Sequence, residues 1–179
     1  MLSPSSSLFT FFILFLLLVS LQTSAGETDD PGHARLPGLG QQLEAYSGSI
    51  ISPDGSGLPI GNGTVGDGKV LYERQCAACH GIEGQQPGNQ LAGGIGSLST
   101  PRPLKTVGSF WPYATTLYDY IARAMPYNQE KSLSVNEVYA ITAYVLNLNN
   151  ILDDDAGVND QSLPAIVMPN REGFIELIH

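Results

Sequence analysis

Sulfur is scarce in this chain, which has two cysteines and three methionines among 179 residues. Both cysteines sit in one pentapeptide, Cys76-Ala77-Ala78-Cys79-His80, so no thiol remains for a structural disulfide or a four-cysteine metal site. Basic residues are also few: 8 Lys and Arg stand against 17 Asp and Glu. With no basic patch and a formal charge of −9, nothing points to nucleic-acid binding. The only histidines besides His80 are His33 and His179, near the two ends. A zinc site would need further ligands at closer spacing.

What the pentapeptide does support is covalent attachment of a c-type haem. Each thiol can add to a haem vinyl group, and the histidine directly after the second thiol is placed to bind the iron. A thioredoxin-type redox pair would need a βαβ pattern around the two cysteines, and none is visible. One motif accommodates one haem c, held by Cys76 and Cys79 with His80 as the proximal iron ligand.

The N-terminus points to export. Residues 1–25 carry no charged side chain, and an apolar run from Leu8 to Leu21 is followed by Gln22-Thr23-Ser24-Ala25. This fits a secretory signal peptide cleaved after Ala25. The run is short for a bilayer span, which takes about 20 apolar residues. The expected location is therefore the periplasm, with no membrane attachment after cleavage; the alternative is an anchor formed by the uncleaved segment. Beyond the signal, residues 26–64 are rich in Gly, Pro and Ser and read as an extended arm, with Tyr46–Ile51 as a candidate docking patch. Residues 65–150 read as the haem domain, and residues 151–179 as an acidic C-terminal extension.

Charge follows the same division. The segment 65–150 holds six acidic and six basic residues, so it is neutral. The acidity lies in the flanks, including Asp153-Asp154-Asp155, a run that reads first as a solvated turn.

Inside the haem domain the periodicity is helical. Gly66–Cys76 places Val70 and Leu71 on one side and leads directly into the haem motif. Gly81–Leu98 is irregular and glycine-rich. Pro112–Met125 has apolar residues near helical spacing and stops before Pro126. The last helix carries a capping box, Ser134 with Glu137, and a staple of Leu133 with Val138. Val138, Ile141, Val145 and Leu148 form its apolar stripe, and Asn147, Asn149 and Asn150 read as its fraying end. The fold class is all-α: short helices around one haem, with extended N- and C-terminal arms.

The iron's sixth position needs a second ligand, and a thioether there raises the reduction potential. Met125 is the expected distal ligand, because the elements on either side of it can brace a ligand loop; Met168 and an open or otherwise filled position are the alternatives. The free N–H of the proximal ring calls for a backbone carbonyl in Pro87–Gly93, with Pro87 as the pick. Trp111, the only tryptophan, is either core packing or a donor to a haem propionate.

Longer runs are more specific than the pentapeptide. They are Thr106–Tyr127 (TVGSFWPYATTLYDYIARAMPY), Ser134–Asn149 (SVNEVYAITAYVLNLN), Ser52–Pro59 and Leu163–Phe174. Together these resemble the cytochrome c subunit of periplasmic molybdenum sulfite and sulfur (sulfane) dehydrogenases of the bacterial sulfur-oxidising system, over roughly residues 46 to 174. The resemblance implies a class I cytochrome c fold and a molybdopterin-containing catalytic partner. It also matches Cys76, Cys79, His80 and Met125 to haem attachment and axial ligation. Some members carry two haem domains, whereas this chain has a single CxxCH motif.

The expected function is electron transfer rather than catalysis. Electrons would come one at a time from a molybdenum sulfite or sulfur dehydrogenase subunit and pass to a downstream cytochrome or oxidase. The arm and the Met168 tail would clasp the partner. The rival readings are a general diffusible carrier with no dedicated partner and a haem sensor with an open sixth position.

Overall fold

The computed structural model describes residues 50–175. The signal segment 1–25, most of the arm, His33 and His179 lie outside them, as does all but the end of Tyr46–Ile51. In chain order the elements are β1 (Asn62–Thr64), α1 (Val65–Gln75), α2 (Ala77–His80), α3 (Val107–Phe110), α4 (Ala114–Ala124), α5 (Val135–Leu148) and β2 (Gly157–Asn159). Single 3-10 turns at Ser97–Ser99 and Leu163–Ala165 complete the list.

Each long helix starts where its sequence signals one. Thr64 caps α1 by accepting the Asp67 N–H at 3.1 Å, and Asp67 and Arg74 sit at the ends that suit their charges. α4 runs one to two residues inside the expected span. Its last turn is closed by the Met125 N–H donating to the Ile121 carbonyl at 3.1 Å. The capping box of α5 is present: the Ser134 N–H donates to Glu137 Oε2 at 2.8 Å, and the Glu137 N–H to Ser134 Oγ at 3.4 Å. Leu133 and Val138 are both buried, as a staple requires.

α5 is more central than its stripe suggests. Every residue from Val138 to Leu146 is buried, while Leu148 is only partly so. One side of α5 receives α1 at very close range. A Cβ on Gly68 would collide with the Ala140 carbonyl, and one on Gly63 would collide with the Ala140 backbone. Glycine is required at both positions for backbone to meet backbone. The other side packs on α4, with the Tyr118 and Tyr139 rings 4.4 Å apart; Tyr72 meets Tyr144 at 5.1 Å.

The fold is mostly helical, with one departure. β1 and β2 form a two-stranded antiparallel ribbon with Gly63 opposite Val158. Three-residue strands containing glycine carry no readable alternation, so the sequence gives no sign of them. The ribbon also ties the two flanks to the haem domain. Val158, Leu163 and Met168 are core residues, and Asn170 Nδ2 donates to the Phe110 carbonyl at 2.7 Å. Arg171 lies over the Tyr113 ring at 4.6 Å, and Phe174 meets Phe110 edge-on at 5.2 Å. On the arm side, Ile51 and Leu58 pack against the core and the Tyr139 hydroxyl donates to the Pro59 carbonyl at 2.8 Å. These segments are occupied with their own domain. Among the described residues no helix is long and apolar enough to cross a membrane.

Candidate functional site

α1 delivers the chain into Cys76, which begins the single turn α2. Cys79 and His80 both donate their N–H groups to the Cys76 carbonyl, at 3.1 and 3.0 Å. This turn gathers Cys76, Cys79 and His80 within five residues. Gly81, with φ +79°, ends it in a conformation that costs a side-chain-bearing residue energy. The Tyr72 hydroxyl donates to the Gly81 carbonyl at 2.9 Å, tying α1 to the exit of the turn.

His80 Nδ1 lies 2.8 Å from the Asn89 carbonyl. A carbonyl only accepts, so Nδ1 carries a proton, and in the neutral ring Nε2 keeps its lone pair. That is the tautomer of a metal-binding imidazole, oriented by its outer partner. The partner falls within the expected stretch Pro87–Gly93, but it is Asn89 rather than Pro87. The reason is a turn in which the Asn89 N–H donates to the Gln86 carbonyl at 2.9 Å and Gly88 adopts φ +87°. The turn brings the Asn89 carbonyl round to the ring.

Both cysteines are free thiols. Cys79 is exposed, whereas Cys76 is partly buried against the core. Burial, and then the proximity of Cys79, pushes the Cys76 thiol up to about 11. At neutral pH it is therefore a protonated S–H.

The two methionines of the described residues have different surroundings. Met125 caps α4 and packs, partly buried, against the core. Met168 is 1% exposed and belongs to the core itself. Trp111 is partly buried and meets Tyr120 edge-on, with ring centroids 5.7 Å apart. The donor set (two free thiols, a ligand-tautomer imidazole and a thioether outside the core interior) fits covalent haem. No cluster of three or more His, Cys, Asp or Glu side chains among the described residues offers another metal a site.

Two features near the site escape sequence reasoning. Asn149, read as part of a fraying end, is buried and bonded to the Leu91 carbonyl. Thr106 and Ser109 form a capping box that fixes α3, and the Thr106 hydroxyl donates to the Gly93 carbonyl at 2.6 Å. The T-x-x-S spacing was the available signal for the second; the first had none.

The cytochrome c family profile matches residues 65–149. The crystal structure of the sulfane dehydrogenase SoxCD from Paracoccus pantotrophus contains a similar chain, 41% identical with a TM-score of 0.71. The likeness covers 80% of this chain and 70% of that one. This chain belongs to the cytochrome c family. Within it, this cytochrome falls with the cytochrome c subunits of sulfur dehydrogenases, as its longer sequence runs indicate. No curated protein matches it. Family membership brings haem c and an electron-transfer role, and Cys76 and Cys79 of this cytochrome fit the attachment motif.

Proposed function

We propose that this cytochrome is the single-haem electron-transfer subunit of a periplasmic molybdenum sulfite or sulfur dehydrogenase. The observation that carries the reading is the His80 Nδ1 bond to Asn89, which leaves Nε2 ready for iron. Cys76 and Cys79 hold the haem as thioethers, His80 is the proximal ligand and Met125 the distal one. Bound haem supplies a one-electron couple. The protein holds the imidazole in one tautomer and keeps Met125 at the braced end of α4. Met125 is favoured over Met168 because Met168 is enclosed by the core.

The partner reading rests on likeness to the SoxCD chain. The catalytic chemistry sits on a molybdopterin-containing partner, and this cytochrome passes its electrons to a downstream cytochrome or oxidase. The apolar run Leu8–Leu21 and the small residues after it support export to the periplasm.

The test is to purify the native complex and add sulfite or a sulfane-sulfur substrate. Haem reduction that depends on both the substrate and the molybdopterin chain is expected. A haem left oxidised in the complete complex refutes the partner reading. Carbon monoxide binding by the reduced protein at neutral pH refutes Met125 ligation and favours a sensor.

A further inference from the structure

Asn149 closes α5 and is 2% exposed. Its Nδ2 donates to the Val145 carbonyl at 2.9 Å and to the Leu91 carbonyl at 3.1 Å. Both partners only accept, so the amide nitrogen must face them and Oδ1 must face away. There Oδ1 has no hydrogen-bond partner among the described residues. A buried unpaired amide oxygen is costly, because it has given up its bond to water for nothing. A leucine would fill the position without that cost, so the value of an asparagine lies in what Nδ2 holds.

It holds the proximal loop. The Leu91 carbonyl receives a second bond from the Val107 N–H at 3.1 Å, and the Leu91 N–H donates to the Gly84 carbonyl at 2.8 Å. Leu91 is therefore fixed on both sides of its backbone. Two residues earlier stands Asn89, whose carbonyl accepts the His80 Nδ1 proton. α3 makes room for the arrangement: a Cβ on Gly108 would collide with Asn149 Oδ1.

We propose that Asn149 is a positioning residue for the proximal histidine. It fixes the Leu91 carbonyl, which fixes the Asn89 carbonyl and so sets the direction and strength of the His80 Nδ1–H bond. The inference rests on the reading of His80 as iron ligand. A firm bond at Nδ1 makes the imidazole a stronger donor to iron. Loosening it favours the reduced state and raises the midpoint potential.

The experiment compares holo wild type with N149L and G108A, reading midpoint potential and solvent exchange of the His80 Nδ1 proton by NMR. Both variants are expected to raise the potential and speed the exchange while keeping a six-coordinate spectrum. Variants that lose thermal stability but keep the wild-type potential and exchange overturn the proposal and leave Asn149 a packing residue. If neither variant matures, wild type in mild denaturant decides. The side-chain amide protons of Asn149 and the His80 Nδ1 proton should exchange through one shared opening, and exchange of the His80 proton while Asn149 stays protected overturns the coupling. A wild-type spectrum without imidazole-ligated haem would instead fail the His80 reading, before any variant is made.

Discussion

Gly68 of α1 lies directly beneath the Ala140 carbonyl of α5, with no room for a methyl group between them. Crossing at this range lets α1 bury Tyr72 completely while carrying the chain into Cys76. Gly68→Ala must push the helices apart, and overpacking of this kind typically costs about 1–3 kcal/mol. The expected outcome is a holo-protein with a clearly lower thermal midpoint, measured by circular dichroism. An unchanged midpoint would show that the crossing is looser than described.

The two methionines separate cleanly by experiment. Met125→Ala should lower the midpoint potential and abolish the sulfur-to-iron absorption band, because thioether ligation raises the potential. Met168→Ala should leave spectrum and potential alone but cost about 2–5 kcal/mol in denaturant unfolding, as core truncations do. The opposite pattern would exchange the roles of the two residues.

Tyr72 makes stability depend on alkaline pH. Burial, followed by the nearby Cys76, Tyr144 and Glu83, pushes its phenol well above the usual tyrosine value. Since the folded state disfavours the phenolate, this contribution is intact below about pH 10, where an unfolded tyrosine titrates, and is lost as pH climbs towards the folded value. Tyr72→Phe should lose about 0.5–1.5 kcal/mol near pH 7 with the bond to the Gly81 carbonyl. Its stability should then fall less steeply than wild type above pH 10. Tyr144, also raised by burial, stays in the variant, so part of the slope persists. Parallel stability curves for the two proteins across that range would contradict the assignment.

Removal of residues 151–179 tests the tail. A free clasp could be cut away without harm to the haem domain. The structure instead places Val158, Leu163 and Met168 in the core and pairs β2 with β1. Truncation after Asn150 should therefore sharply reduce the yield of mature holo-protein and broaden its thermal transition. A truncated protein with wild-type yield and midpoint would show that the core does not depend on the tail.

The parts legible in sequence were those with a local code. CxxCH, the Ser134–Glu137 box and the stop before Pro126 each depend on neighbours in the chain, and α1, α4 and α5 lie within about two residues of where those signals place them. What escaped depends on distant partners. The β1–β2 ribbon joins residues far apart in the chain, and Asn149 is anchored by a carbonyl contributed by another loop. Asparagine at a helix end is ordinarily a solvated terminator, and only the arrival of Leu91 makes this one a structural bond. The choice of Asn89 over Pro87 was out of reach for a similar reason, since the fold of a glycine-rich turn decides which carbonyl faces the ring.

α1 makes most of its tertiary contacts with α5, so the helix that leads into Cys76 takes its main support from a segment much later in the chain. The Cys76–His80 turn belongs to the early half of the chain, ahead of the helix that will enclose its support. A change that displaces Ala140 from over Gly68 therefore reaches the haem motif through α1 without touching it.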